Sequence, residues 1–444
     1  MFVMVLLCGC FLYTIVALYD VFWVSELRVL GFLATDLVFD LSTTNVTVVF
    51  FYWPFVYIFL FITFITLVYC FAYNQTELGA FLSYVVFILV TGLGLFYSNS
   101  LILFFFCYES FLIPAFLILY NFAKTRKTTE AAYLMFFWTQ FGAVFLILNF
   151  QYLFFITNSH FFSTMHFVTL SNFEMFFLFS SLIIGFGVKF PIWPFYDWLP
   201  KAHVEASTNF SIFLSGVLVK FAFFGFIKYL SNLSLDLTPV WVYPFILIGF
   251  IDASSKVYYQ TDLKKLIAYA TVIEMHWLLL AVISGTTFFW IAGFAMMISH
   301  AIISSNFFLV IDSVTRRYKT RLSTEISGIF FLNPSLYFVI LVLLVVFLGF
   351  PGSLLFIAEF MFFSALLDLN FVLFFFILFV AYFIVPSCFF KSWFLLLFGF
   401  SSNNFNGNGS FKSTPSDLDT VEFLLLWFSI IFIFWLGFTF QFFF

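Results

Sequence analysis

Charged side chains are scarce in this sequence, and the shortage excludes a water-soluble protein. Asp, Glu, Lys and Arg make up 9% of the 444 residues, whereas hydrophobic residues make up 64%. A soluble domain carries about 25% charged residues. Five charge-free stretches exceed the ~20 residues that a helix needs to cross a bilayer; they cover residues 41–76, 78–108, 131–173, 275–311 and 326–358. They also exceed the ~10-residue strands of a membrane barrel, so we expect membrane-spanning helices.

Several binding motifs are missing too. The net charge is −4 and the few Lys and Arg residues are scattered, which excludes a basic patch for nucleic acid. Neither a G-x-G-x-x-G motif nor a P-loop occurs, so the usual nucleotide-binding devices are excluded. We expect no cofactor in this chain, because no C-x-x-C spacing for a metal or iron–sulfur cluster connects its cysteines. We also predict no disulfide among them; they are Cys8, Cys10, Cys70, Cys107 and Cys388.

Targeting signals are absent as well. The N-terminus lacks the basic region and cleavage site of a secretory signal, and it lacks the Arg-rich pattern of a transit peptide. The 82 Phe residues fit an AT-biased genome, because Phe codons are rich in T. We therefore expect a chain that is encoded and synthesised inside an organelle.

Turn clusters and charges divide the sequence into thirteen predicted membrane spans. The stretch 21–40 is apolar but carries Glu26, Arg28 and Asp36, so we predict an interfacial segment there rather than a fourteenth span. The predicted spans are 2–19, 45–72, 79–97, 99–121, 131–156, 173–190, 207–230, 240–258, 265–284, 287–313, a broken span over 329–367, 370–396 and 421–443. The corresponding regions are an N-terminal helix with the interfacial segment (1–44), a helical core (45–397), a flexible loop (398–420) and a C-terminal helix (421–444).

The distribution of basic residues agrees with this number of spans. Loops after even-numbered spans must share one side of the membrane, and Lys and Arg accumulate on the inner side. Eleven of the seventeen basic residues follow spans four, six and ten or flank the turn after span eight, whereas the connections 157–172 and 285–286 have none. We name this side the matrix side; its basic residues are Lys124, Arg126, Lys127, Lys201, Lys256, Lys264, Lys265, Arg316, Arg317, Lys319 and Arg321.

Two places interrupt the helical pattern. In GVKFPIWPFYDWLPK (187–201), Pro191 and Pro194 remove helix hydrogen bonds. In LGFPGSLLFIAEF (348–360), two glycines and a proline interrupt an apolar stretch. Interrupted helices in corresponding halves of a chain are typical of an inverted-repeat transporter, whose ion site lies near the middle of the membrane.

Five ionisable residues lie inside the predicted spans: Glu109, Lys189, Lys220, His300 and Glu359. A charge at the centre of a bilayer costs at least ~2.5 kcal/mol unless it is paired or neutralised. For each residue a structural role stays open: a carboxylate bonded to a neighbouring helix, a lysine that extends to the interface, or a histidine satisfied in the core. Together, on separate helices, they indicate a chain of groups that passes protons between buried waters.

Further polar residues accompany these five. Glu274 and His276 form a second pair inside the ninth span, where a proton-carrying role and a structural role both stay open. Asp252, Asp312 and Lys228 lie near the ends of spans, so we expect them at the membrane interface.

The segment GVKFPIWPFYDWLPKAHVEAS (187–207) resembles a family signature, the block VKxPxxPxHxWLPxAHVEAP. That family is subunit 4 of mitochondrial NADH:ubiquinone oxidoreductase, respiratory complex I, one of its antiporter-like, proton-translocating membrane subunits. The similarity covers about residues 38–367. Its other motifs follow in the same order: FFFCYESFLIP (104–114), the lysine segment 214–226, SHAIISS (299–305), VTRRYKTR (314–321) and LGFPGSLLFIAEF.

The resemblance implies a fold of about thirteen to fourteen helices with two inverted five-helix repeats, each containing a broken helix. It implies that Glu109 and Lys189 form a charge switch, that Lys220 and His300 form a central relay, and that Glu359 ends it. NADH, FMN, iron–sulfur clusters and ubiquinone would bind to other subunits of the complex. The implied partners are the other membrane subunits, above all the adjacent antiporter-like ones, in the mitochondrial inner membrane.

Three features depart from the family pattern. The first helices are shortened to one. Tyr196 and Ser207 replace an expected histidine and proline in the signature block. Glu274 stands at the position of the histidine in the family's SxSHMG motif.

Two other functions stay open. A subunit of a multi-subunit sodium/proton antiporter shares this architecture, but its block differs where this chain has His203 and Glu205. We therefore count these two residues as weaker site candidates. A scaffold that has lost transport is the other alternative, and the cost of inserting five ionisable groups argues against it.

Overall fold

The computed structural model describes residues 43–73, 78–121, 125–168, 170–233, 240–284, 286–369, 371–399 and 416–440. Within these ranges the chain forms helices and no sheet, as expected for segments that must satisfy their own backbone in lipid. The helices are α1 (Thr43–Tyr73), α2 (Leu78–Tyr97), α3 (Leu101–Ser110), α4 (Leu112–Asn121), α5 (Arg126–Thr157), α6 (Asn172–Lys189), α7 (Trp198–Glu205), α8 (Thr208–Phe213), α9 (Val219–Asn232), α10 (Tyr243–Tyr259), α11 (Leu263–Ile283), α12 (Thr287–Tyr318), α13 (Ile329–Leu332), α14 (Pro334–Phe347), α15 (Leu354–Leu369), α16 (Phe371–Phe379), α17 (Val385–Phe398) and α18 (Thr420–Thr439).

Ten helical segments of the described residues are long and apolar enough to cross a membrane. The shorter apolar helices α14 and α15 form the broken span that the sequence predicts. The expected all-helical fold with many spans is therefore confirmed. At 17 residues, α10 is shorter than the other spans and occupies the predicted span 240–258. The predicted span 2–19 and interfacial segment 21–40 lie outside the described residues, as does most of the predicted loop 398–420.

Three of the loops that carry basic residues meet at one end of the helix bundle. Arg321 forms an ion pair with Asp262, with 2.7 Å between its Nε and the carboxylate. It also donates to the carbonyl of Val204 at 3.0 Å. Lys264 donates to the carbonyl of Ala206 at 2.6 Å. The connections after spans six, eight and ten therefore lie together, as the charge distribution predicts.

Lys228 is buried within the protein, with 4% of its surface exposed. Its ammonium group donates to the carbonyl of Phe96 and to the hydroxyl of Ser98, each at 3.2 Å. These groups stand at the C-terminal end of α2, where the helix dipole favours a cation. The backbone carbonyls at the end of α2 thus determine the position of this lysine. The hydropathy of α9, the helix that carries Lys228, gives no sign of these contacts with another helix.

Both predicted interruptions are present, and each has its own geometry. The loop 190–197 separates α6 from α7 and contains two prolines. Between α14 and α15, Gly349 and Gly352 have φ angles of 72° and 94°, which favour glycine. After each interruption the next span contains a π-helical turn, at Leu214–Leu218 and at Val380–Ile384. This repeated order agrees with the expected pair of structural repeats.

A buried ion cluster fixes the N-terminal end of α18. Glu422 is 3% exposed, lies 2.5 Å from Arg317 Nη2 and also pairs with Arg316. Arg316 in turn lies 2.8 Å from Asp312. Nearby, Asp417 accepts the first backbone N–H groups of α14. Burial alone would raise the pKa of Asp417, but these hydrogen bonds outweigh burial and hold the pKa below its usual value.

Candidate functional site

Glu109 and Lys189 form an ion pair within the membrane bundle. Glu109 lies one residue before the end of α3 and Lys189 is the last residue of α6. Their charged atoms are 2.8 Å apart, and the side chains are 16% and 13% exposed. Lys189 also donates to the carbonyl of Tyr108 at 3.1 Å and lies 3.9 Å from the centre of its ring. The second carboxylate oxygen of Glu109 has no hydrogen-bond partner among the described residues.

A small cavity adjoins this pair. It has a volume of about 40 Å³ and is lined by Lys189, Tyr108, Thr139 and the π-helical turn at Leu214 and Leu218. A water molecule needs about 10–15 Å³ of such space, so two or three could fit. The cavity therefore lies between the ion pair and the helix that carries Lys220.

Lys220 is 2% exposed and lies just after the π-helical turn. Its ammonium group donates to the carbonyl of Ser215, which belongs to that turn. A π-helical turn is wider than an α-helical one, and such turns are frequent at functional sites. The turn thus supplies a backbone acceptor to a lysine that the apolar helix sequence would leave unsatisfied.

Glu274 and His300 are in direct contact across α11 and α12. Glu274 Oε2 meets His300 Nδ1, and the residues are 5% and 2% exposed. Within the described ranges, His300 Nε2 has no hydrogen-bond partner. Lys220 lies close enough to interact electrostatically with both side chains. A cavity of about 10 Å³ touches Glu274 and His300 together with Thr271 and Ser304.

Glu359 is half-buried in α15 and accepts a hydrogen bond from Tyr382 at 3.0 Å. It lies against the interruption before its own helix, because a Cβ atom on Gly349 would come within 2.4 Å of its carboxylate. It also interacts electrostatically with Glu274. The sequence predicted Glu359, whereas Tyr382 was missed because a tyrosine in an aromatic-rich helix gives no signal of its own.

His203 is fully buried and stacks on Phe308, with ring centres 4.8 Å apart. Neither of its ring nitrogens has a partner in the part of the chain that the structure describes. It interacts electrostatically with Lys264 and Lys220, and Glu205 interacts with Lys264 in turn. Lys264 is buried and was missed as a site residue, because its place at the start of a span is typical of an interfacial lysine.

His276 has a partner for each ring nitrogen. Nδ1 lies 2.7 Å from the Val272 carbonyl, and Nε2 accepts the backbone N–H of Trp193 at 3.2 Å. Its ring occupies the space beside Gly249, where a Cβ atom would lie 2.0 Å away. These contacts connect α10 and α11 to the loop 190–197. They favour the structural role that the sequence left open for this histidine.

Tyr196, which replaces the family histidine, has its own partners near the same loop. Its hydroxyl contacts Asp252 and accepts a hydrogen bond from Lys256 at 2.7 Å. Lys256 also pairs with Asp197 at 3.4 Å. The hydroxyl therefore binds an acidic and a basic side chain of α10 at the matrix side.

Comparisons with known proteins agree with this arrangement. Residues 98–385, more than half of the chain, match the family described as "NADH:quinone oxidoreductase/Mrp antiporter, TM". A Paramecium tetraurelia protein named NADH-ubiquinone oxidoreductase chain 4 is 34% identical over 334 residues, which are 75% of this chain and 68% of that protein. The Acanthamoeba castellanii protein of the same name is 30% identical over 295 residues, 66% of this chain and 59% of that protein.

Two solved structures share the fold. Respiratory complex I from Thermus thermophilus with bound NADH contains a chain that matches with a TM-score of 0.74 and 21% identity, over 88% of this chain and 82% of that chain. A chain of the Mrp complex from Dietzia sp. DQ12-45-1b matches with a TM-score of 0.76 and 20% identity, over 88% of this chain and 43% of that chain. At these identities the likeness concerns the fold alone.

Proposed function

Because the chain belongs to the family of membrane subunits that NADH:quinone oxidoreductases share with Mrp antiporters, we propose that it moves protons through a line of buried ionisable residues. The relatives named chain 4 confirm the resemblance to complex I subunit 4. The chain is thus a multi-pass membrane subunit of the complex I type, and oxidation of NADH by other subunits would supply the energy. The proposed line consists of Glu109, Lys189, Lys220, His300 and Glu359.

The ion pair between Glu109 and Lys189 supports this proposal most directly. A carboxylate and an ammonium group 2.8 Å apart stabilise each other in a medium of low dielectric constant, and each becomes costly when the other withdraws. Lys189 ends a helix at an interruption, where the backbone can rotate more easily than inside a helix. Opening of the pair would leave Lys189 without its counter-charge and favour release of its proton into the adjoining cavity.

Lys220 and His300 continue the line towards Glu359. The chain neighbours of Lys220, Val219 and Phe221, line the first cavity, and His300 lines the second. Each group can both accept and release a proton, which a relay through buried water requires. Glu359 is half-buried, so a proton that reaches it meets the edge of the subunit. Since other subunits of the complex would bind NADH, FMN, iron–sulfur clusters and ubiquinone, this chain needs protonatable side chains and water alone.

The test compares Glu109→Gln with Glu130→Gln in the intact complex. Glu130 also pairs with a basic residue, Arg126, but on an exposed surface. We expect Glu109→Gln to lower the rate of proton pumping in reconstituted vesicles at least about tenfold, since a positioned acid–base group contributes about 10²–10⁴-fold to proton transfer. Glu130→Gln should pump normally. Full pumping by Glu109→Gln, in a complex that assembles normally, would show that the pair is structural.

A subunit of a sodium/proton antiporter is the second candidate. The match to the Mrp chain favours the shared architecture, but it rests on 20% identity, whereas the chain 4 relatives reach 34%. The complex I type is therefore preferred. We further propose a location in the mitochondrial inner membrane and an organellar gene; radiolabelling of this chain during protein synthesis in isolated organelles would test the gene's location.

A further inference from the structure

Glu274 lies among the buried charged residues but is not part of the proposed five-residue line. Its contacts suggest that it has a function of its own. It meets His300 directly and interacts with Lys220. Glu274 also interacts electrostatically with Glu359. A buried carboxylate surrounded in this way is costly unless its charge is compensated or its proton is shared.

We infer that Glu274 is the counter-charge of Lys220 and shares one transferable proton with His300, so that the three side chains act as a second lysine–carboxylate switch. This inference rests on the proposed function, because it adds a group to the same line. It assigns to Glu274 a charge that an imidazole, the family's residue at this position, cannot provide.

The charges of the cluster support this assignment. With an ammonium group on Lys220, a carboxylate on Glu274 and a neutral His300, the net charge is zero, which a medium of low dielectric constant favours. Transfer of one proton from Nζ of Lys220 to the carboxylate of Glu274 leaves an amine and a carboxylic acid. The net charge is again zero, and no further reactant is needed. His300 donates from Nδ1 to the carboxylate in the first state, so Nε2, which has no hydrogen-bond partner among the described residues, is the ring nitrogen that can take up a further proton.

Polar groups of Ser215 and Ser304 adjoin the three side chains. Lys220 donates to the carbonyl of Ser215, and the hydroxyl of Ser304 donates to that of Ser215 at 3.3 Å. Ser304 lines the second cavity together with Glu274 and His300. The volume of about 10 Å³ lies at the lower limit for one water molecule, and these polar groups supply the two to four partners that such a water needs.

The experiment uses the intact complex with Glu274→Gln, Glu274→His and Glu274→Asp. Gln removes the charge and the exchangeable proton, and His restores a proton carrier without the negative charge. We expect Gln and His each to lower the rate of proton pumping about tenfold or more, and Asp to retain most of it. Ser299→Ala is the matched control, because Ser299 is buried one residue before His300 and bonds to its own helix.

The outcomes separate this inference from the proposed function. Normal pumping by Glu274→His or Glu274→Gln would overturn the inference; loss of pumping in Glu109→Gln alone would then leave the proposed function standing. If Glu274→Gln does not assemble, infrared difference spectra of the Glu274→Asp complex provide a second measurement. We expect a carboxylic C=O band that shifts relative to the unsubstituted complex during turnover, and an unshifted band would contradict the shared proton.

Discussion

At the scale of single residues, three buried histidines differ in what their ring nitrogens contact. His276 has partners for both nitrogens, His300 has one partner, and His203 has none among the described residues. A histidine with both nitrogens bonded holds a fixed tautomer and orients its neighbours. One with a free nitrogen can accept a proton. This difference supports a structural role for His276 and the proposed place of His300 in the line of proton carriers.

A prediction at this scale concerns Gly349. Its φ angle of 72° costs other residues about 1–2 kcal/mol, and a Cβ atom there would meet the carboxylate of Glu359 at 2.4 Å. We expect Gly349→Ala to lower the thermal stability of the complex and to reduce proton pumping by displacing Glu359. Gly79→Ala is the control, because nothing lies within 4 Å of its Cβ position. Equal stability and pumping in the two variants would contradict the close contact.

The sequence identified the ionisable residues but not all of their partners. A charged residue inside an apolar stretch stands out in the sequence, so Glu109, Lys189 and Glu359 could be predicted from their positions along the chain. The contact between Glu274 and His300 joins two helices, and their facing sides cannot be deduced from spacing within either one. For the same reason, the sequence did not show that Lys228 would bind the end of α2.

At the scale of helices, α18 depends on charges rather than on apolar packing alone. Its capping residues tie it to α12 through Glu422 and the arginines 316 and 317. Removal of one member of a buried ion pair costs about 3–5 kcal/mol, since the remaining charge stays buried without compensation. The sequence predicted the span, but the predicted loop before it gave no sign of this attachment.

We therefore expect Glu422→Gln to destabilise the association of α18 by about 3 kcal/mol. Limited proteolysis of the assembled complex, followed by mass spectrometry, would detect faster cleavage near residue 417. Glu130→Gln serves as the control, because its exposed pair with Arg126 contributes at most about 0.5 kcal/mol. If both variants are cleaved at the same rate, the ion cluster does not hold the helix.

At the scale of the whole molecule, burial distinguishes a central layer from a periphery. In α11 and α12, all residues of the apolar stretch that would cross the membrane are buried within the protein, whereas in α2 only 28% of them are buried. The side chains that form the second half of the proposed proton line lie on or beside the two central helices. The outer helices expose many Phe side chains, such as Phe106 at 71% and Phe173 at 79%, and these meet lipid or neighbouring subunits.

The proposed complex makes a prediction at this scale. After gentle solubilisation of organelle membranes, we expect this chain to be isolated together with other antiporter-like subunits and with subunits that oxidise NADH. Mass spectrometry of the isolated assembly would identify them. Isolation of the chain alone would contradict the complex I assignment, and isolation with antiporter subunits but no NADH-oxidising partner would favour the antiporter alternative.

The two interruptions are both built from residues that keep the chain out of a continuous helix in every state. Pro191 and Pro194 have no N–H to donate, so the loop between α6 and α7 cannot close into a continuous helix. Pro351 lies between Gly349 and Gly352 and likewise has no N–H, so the second interruption cannot close into a continuous helix either. The chain therefore keeps a joint beside each end of the proposed proton line, one next to Lys189 and one next to Glu359.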